Sequence, residues 1–73
     1  MPEGGRRFPG PWKVVEHAES FHVEDAHGQE LAYFYYEDEE TRRSIMRRMT
    51  KREAWKMAAN FAKLPLLLHK NER

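Results

Sequence analysis

The alternation of apolar and polar positions changes character at Tyr36, with a two-residue period before it and a three-to-four-residue period after it. Within Phe21 to Tyr36, two alternating runs flank Asp25-Ala26-His27-Gly28. They predict a β-hairpin closed by a type I turn, with Gly28 in the left-handed conformation and Asp25 accepting from nearby backbone N–H groups. That turn sets Val23 opposite Leu31 and Phe21 opposite Tyr33, which places these four side chains and Tyr35 on one face. The other face would carry His22, Glu24, Glu30, Ala32, Phe34 and Tyr36, polar near the turn and aromatic far from it. Phe34 and Tyr36 are then either half-covered by the N-terminal segment and long charged side chains, or a contact surface.

Upstream, Trp12 to His17 alternates as a strand, and Ala18-Glu19 is the centre of the turn into the hairpin. Val14 then stands opposite Val23, and Trp12 and Val14 join Phe21 and Val23 on the covered face. The three strands make an antiparallel meander in sequence order, with both outer strands open at an edge. Downstream, Ile45, Met46 and Met49 form a narrow stripe, and the acidic run Glu37 to Glu40 ahead of Arg42 to Arg48 matches a helix dipole at both ends. This is a short helix of about two to three turns, stable only when docked. Thr50-Lys51-Arg52-Glu53 has the form of a capping box and opens a second helix. Ala54, Met57, Ala58, Phe61 and Leu64 give that helix one apolar face for the sheet. Pro65 ends or kinks it at Leu64, after which Leu66, Leu67 and Leu68 are expected to fold back over the edge of the core.

The expected fold is α+β, in the order β-β-β-α-α, with the long helix packed on one sheet face. Three glycines and three prolines among residues 1–11 predict a disordered or loosely docked tail. Residues 12–68 form the single domain and residues 69–73 a frayed end. At 73 residues, a domain buries only about 60% of the surface of its unfolded chain, so the core is modest. Without cysteine, neither a disulfide nor a thiolate metal site supplements it. The first residues hold no apolar run of signal-peptide length, and no stretch approaches the roughly 20 apolar residues of a membrane span, so a cytoplasmic protein without a membrane partner is expected.

A net charge of +1 conceals a division. From Trp12 to Glu40 nine acidic residues stand against Lys13, and from Thr41 onward ten basic residues stand against Glu53 and Glu72. The two halves either complement each other or leave a basic surface for a polyanion. The residues of that surface would be Arg42, Arg43, Arg47, Arg48, Lys51 and Arg52, whose spacing lets several share one side of the two helices; ion pairing with Glu37 to Glu40 is the competing use. Trp55 lies off the main apolar stripe, with Ala59 and Ala62 on its side. It is either covered by the first helix, through Ile45 and Met49, or part of an exposed strip with Ala59, Ala62 and Leu66, suited to a partner or a second copy. The candidate interface residues are thus Phe34, Tyr36, Trp55 and Ala59.

For catalysis the sequence offers little. His17, His22, His27 and His69 lack metal-ligand spacing, no Ser or Thr has an evident base, and no glycine-rich phosphate loop precedes a helix. No cofactor or metal is expected.

Trp12-x-Val14-x-Glu16, then Ser20-Phe21-x-Val23-x-Asp25-Ala26-x-Gly28-x-x-Leu31-Ala32-Tyr33-x-Tyr35, then Ala58-Ala59-Asn60-x-Ala62-Lys63-Leu64-Pro65 resembles a group of short bacterial proteins with which no activity is associated. The resemblance covers about residues 12–68 and implies a compact single domain. Separately, a meander followed by Lys51-Arg52-Glu53-Ala54-Trp55 is similar to the last part of double-stranded-RNA-binding domains, whose final helix opens on Lys-Lys-x-Ala-Lys and grips phosphates. Trp55 stands where that motif has its last Lys, and Lys56 follows one position late. The composite expectation is a small non-enzymatic interaction or accessory protein that binds a protein partner or itself, with a nucleic-acid-binding module built on the basic half as the alternative.

Overall fold

A computed structural model describes the backbone of residues 8–70 and the side chains of residues 8–67. Most of the expected tail and the last three residues of the expected frayed end lie outside the described residues. The fold is α+β: three antiparallel strands, β1 (Lys13–Glu16), β2 (Ser20–Glu24) and β3 (Glu30–Tyr35), precede helices α1 (Glu40–Met46), α2 (Lys51–Phe61) and α3 (Leu64–Lys70). The sheet order is β1-β2-β3. Helix α2 lies over one sheet face, and α3 continues it after a break.

The turn between β2 and β3 forms as its residue types dictate. The Asp25 carboxylate accepts from the N–H groups of His27 and Gln29 at 2.8 and 2.9 Å. The Gly28 N–H donates to the Asp25 carbonyl at 3.0 Å, and Gly28 has φ +86°. Val14 pairs with Val23 across β1 and β2, as the alternation predicts.

The register of β3 differs from the sequence expectation. Glu24 faces Glu30 next to the turn, but Val23 then faces Ala32 and Phe21 faces Phe34. Leu31 is the extra residue, a β-bulge that reverses the faces of everything beyond it. Ala32, Phe34 and Tyr36 therefore lie on the covered side, and Tyr33 and Tyr35 face away from it. The alternative register would bury Tyr33 and Tyr35 in place of Phe34 and Tyr36, leaving two hydroxyls rather than one to be satisfied in the core. In the observed register the one phenol in the core, that of Tyr36, donates to the His17 carbonyl at 2.8 Å.

Phe21, Val23, Tyr36, Ala54 and Ala58 form the buried core, with Trp12, Val14, Phe34, Met49, Phe61 and Ala62 packed around it. Ala54 and Ala58 are fully buried. Their small side chains bring the α2 backbone close to the sheet, and Phe61 seats between Trp12 and Phe34 at ring separations of 5.5 and 5.7 Å. The capping box holds the start of α2: the Glu53 N–H donates to Thr50 Oγ1 at 3.1 Å and the Thr50 N–H to Glu53 Oε1 at 2.9 Å.

Two expectations about the helices are corrected. Helix α1 buries none of its side chains, and Ile45 is 77% exposed, so α1 does not cover Trp55. It stops because Arg47 turns left-handed at φ 59°, and the chain then returns beside Tyr36, where the Glu37 N–H donates to the Met49 carbonyl at 2.8 Å. Nor do Leu66 and Leu67 close the core; they are 72% and 52% exposed. The helix breaks at Ala62 and Lys63, and Pro65 sits in the first turn of α3, where its missing N–H forfeits no bond. With α3 carried outward the molecule measures 46 × 21 × 18 Å and has a radius of gyration of 14.6 Å, against about 11 Å for a compact chain of this length.

Two measurements check this fold. Gly28→Val is expected to lower unfolding free energy by more than about 1 kcal/mol in urea titration, because a β-branched residue resists positive φ. Phe34→Ala should cost about 2–4 kcal/mol and Tyr35→Ala less than about 1 kcal/mol. The reverse order would restore the unbulged register.

Candidate functional site

A concavity lies where the segment before β1 meets the end of α2 and the start of α3. Gly10, Pro11 and Trp12 form one side, and Ala59, Ala62, Lys63, Pro65, Leu66 and Leu67 of the α2–α3 elbow form the other, around a volume of about 1020 Å³. The strap before β1 is tied down at two points: the Ala26 N–H donates to the Pro9 carbonyl at 2.9 Å, and Trp12 Nε1 donates to the Phe8 carbonyl at 2.9 Å. Gly10 touches α3, since a Cβ there would stand 3.1 Å from Pro65 Cβ. The groove is apolar apart from Lys63, and Trp55, 47% exposed, lies one turn before Ala59 on the same flank of α2.

The open sheet face carries a different array. Glu24 Oε1 is 2.9 Å from His22 Nε2, and His22 Nδ1 is 2.6 Å from His17 Nε2. With Glu24 ionised, His22 donates to it at Nε2, which leaves His22 Nδ1 to face His17 Nε2. His17 stacks on Tyr33 and Tyr33 on Tyr35, at 6.1 and 5.9 Å, and the Arg48 guanidinium covers Tyr35 at 5.2 Å. Hydrogen bonding from His22 holds the Glu24 carboxyl below its ordinary range, with Lys13 adding to the effect. The hydrogen bond to Glu30 raises the Tyr33 phenol. Among the described residues no hydroxyl or thiol is hydrogen-bonded to the His17 ring, and no three His, Cys, Asp or Glu are grouped to hold a metal.

Four of the six basic residues named from the helical half are engaged within the chain. Arg42 pairs with Glu37 at 3.8 Å, and Arg43 donates to the carbonyls of Glu37 and Asp38. Arg48 reaches Glu19 at 3.2 Å. Lys51 meets Glu16 at 2.8 Å, and this hydrogen bond raises the Lys51 ammonium above its usual range. Arg47 caps α1 through its backbone, and Arg52 is exposed on α2.

Of the four candidate interface residues, Ala59 lines the groove and Trp55 flanks it, while Tyr36 is buried and Phe34 is half-buried against Phe61. The strap wall was not legible from composition: three glycines and three prolines signal a tail, and only the anchoring of Phe8, Pro9 and Trp12 reveals a wall. An unusual Trp beside Pro-Gly-Pro was the available hint.

The lowered carboxyl of Glu24 gives a pH signature. Because its folded value lies below the unfolded one, its stabilisation is present above the ordinary Glu range and is lost as pH falls through the lowered value. Glu24→Gln should therefore be less stable than wild type in denaturant at neutral pH, with the gap closing in acid. A gap that is constant with pH would show that Glu24 does not act through its charge. Comparison with protein-family models, curated proteins and solved structures finds no match for this chain, so its function is argued from geometry alone.

Proposed function

We propose that this chain is a small non-enzymatic interaction protein that seats a segment of a partner protein in the groove between the Gly10–Trp12 strap and the α2–α3 elbow. The observation that carries the proposal is the groove itself, about 1020 Å³ and apolar, with Leu66 and Leu67 held out of the core at its edge. Exposed leucines on a helix of so small a domain forgo about 25 cal/mol for each Å² of apolar surface left wet, and a partner recovers it. Concave, mostly pre-formed apolar sites are the usual seats for ligand segments.

The nucleic-acid alternative has less support. Arg42, Arg43, Arg48 and Lys51 are engaged by the chain's own acidic side chains and carbonyls, which removes four of six phosphate contacts from a binding stripe. No helix among the described residues is long and apolar enough to cross a membrane.

Displayed peptide libraries test the proposal. Enriched peptides should compete with one another and lose at least about tenfold in affinity on Leu66→Glu, as expected for a buried anchor replaced by a charge, while the variant's melting temperature stays within a few degrees of wild type. Peptides that bind Leu66→Glu as well as wild type, or tight salt-dependent binding of duplex RNA with no peptide enriched, would overturn it.

A further inference from the structure

Resting on the groove reading above, we infer that the partner segment is acidic and amphipathic, with apolar anchors on one side and carboxylates along its edge. The groove supplies the first half of that description and its border supplies the second. Lys63, in the break that follows α2, lines the groove, and Lys56 and Arg52 stand seven and eleven residues before it on α2. Arg52 and Lys56, four residues apart, share one side of α2, Lys56 stands three residues before the groove-lining Ala59, and with Lys63 they make a row of cations leading to the elbow.

The row stands apart from the cations that the chain's own carboxylates take up. Lys13, Arg42, Arg48 and Lys51 each have a carboxylate partner, whereas Arg52, Lys56 and Lys63 are exposed and have none among the described residues. Glu53, the only acidic residue nearby in sequence, is occupied by the capping box, and no acidic residue follows until Glu72. With Lys63 in its lining and Lys56 and Arg52 solvated on the helix that leads to it, the apolar trough attracts a segment that brings carboxylates to that side and leucine or aromatic side chains to the centre.

Other occupants fit less well. A second copy would present the same cation row, so packing elbow against elbow sets like charges together, which costs rather than binds. A bilayer is flat, whereas here the indole of Trp12 and the leucines of α3 stand on opposite sides of a trough. Nucleic acid would satisfy the row but would leave the apolar walls unfilled. An amphipathic helix laid in a groove, with anchors at three- and four-residue steps, matches both features.

The test uses three synthetic peptides of about 18 residues, long enough to span a helical groove, with one shared leucine stripe and Glu, Gln or Lys at every polar position. Fluorescence anisotropy at low and moderate salt measures their affinity for the full chain. The Glu peptide should bind roughly tenfold tighter than the Gln peptide, about what three exposed ion pairs supply together, and the margin should shrink as salt rises. The double variant Lys56→Glu/Lys63→Glu, at exposed positions that leave the core intact, should reverse the order and favour the Lys peptide. Equal binding of all three peptides would overturn the acidic preference and leave the groove reading standing. Binding by none of them would overturn both. A dimer in sedimentation at about 0.1 mM, within the range of weak self-association, that dissociates on Leu66→Glu would make a second copy the occupant and overturn the inference.

Discussion

The single extra residue at Leu31 decides which surface each side of the sheet presents. Without that bulge, β3 would turn Leu31, Tyr33 and Tyr35 toward α2 and leave Phe34 in water. With it, Phe34 meets Phe61, the Tyr36 hydroxyl finds the His17 carbonyl, and the two remaining tyrosines stand outside. The core thus consists of side chains that either carry no polar atom or have it satisfied, with no buried side-chain N or O unpaired among the described residues. The aromatic and imidazole array on the far side follows from the same slip.

Helix α2 occupies the covered face because its contact surface is small-residue rather than bulky. Two buried alanines let the helix come down on Phe21 and Val23, and larger side chains at its edges, Trp55 and Phe61, close the flanks against Phe21 and Phe34. A domain of this size has sheet enough for one such helix. The segment beyond Lys63 has no further sheet to cover, so α3 projects with Leu66 and Leu67 wet, and the Gly10–Trp12 strap becomes the opposite wall of a trough. The groove is a consequence of the short sheet meeting a helix that resumes after its break.

Charge in this molecule is sorted by position. Where the acidic sheet half meets the start of the helical half, Glu16, Glu19 and Glu37 take up Lys51, Arg48 and Arg42, and the first two pairs fasten the end of β1 and the β1–β2 turn to the α1–α2 junction. Such exposed pairs contribute little individually to stability, but they consume the cations that a polyanion would need. Farther along α2 the acidic residues run out, and the basic character of the helical half survives beside the groove.

Features set by interactions within a few residues were determined by the sequence. The Asp25–Gly28 turn, the Thr50–Glu53 capping box, the pairing of Val14 with Val23 and the change of period at Tyr36 all follow from side chains and backbone groups that meet locally or across one tight connection. So does the β-β-β-α-α order. What only the tertiary structure decided depends on groups distant in the chain. The bulge at Leu31 is local in form, but it is chosen by how well Phe34 and Tyr36, rather than Tyr33 and Tyr35, fit beneath α2. Which cations are free depends on acids about thirty residues away, as with Arg48 and Glu19. One wall of the groove includes residues whose composition signals a loose tail, and they become a wall because Pro9 and Phe8 offer carbonyls to Ala26 and Trp12. Alternation and propensity are sums over neighbours, whereas burial is settled by the whole packed assembly, and a shift of one residue in register is enough to exchange its inside for its outside.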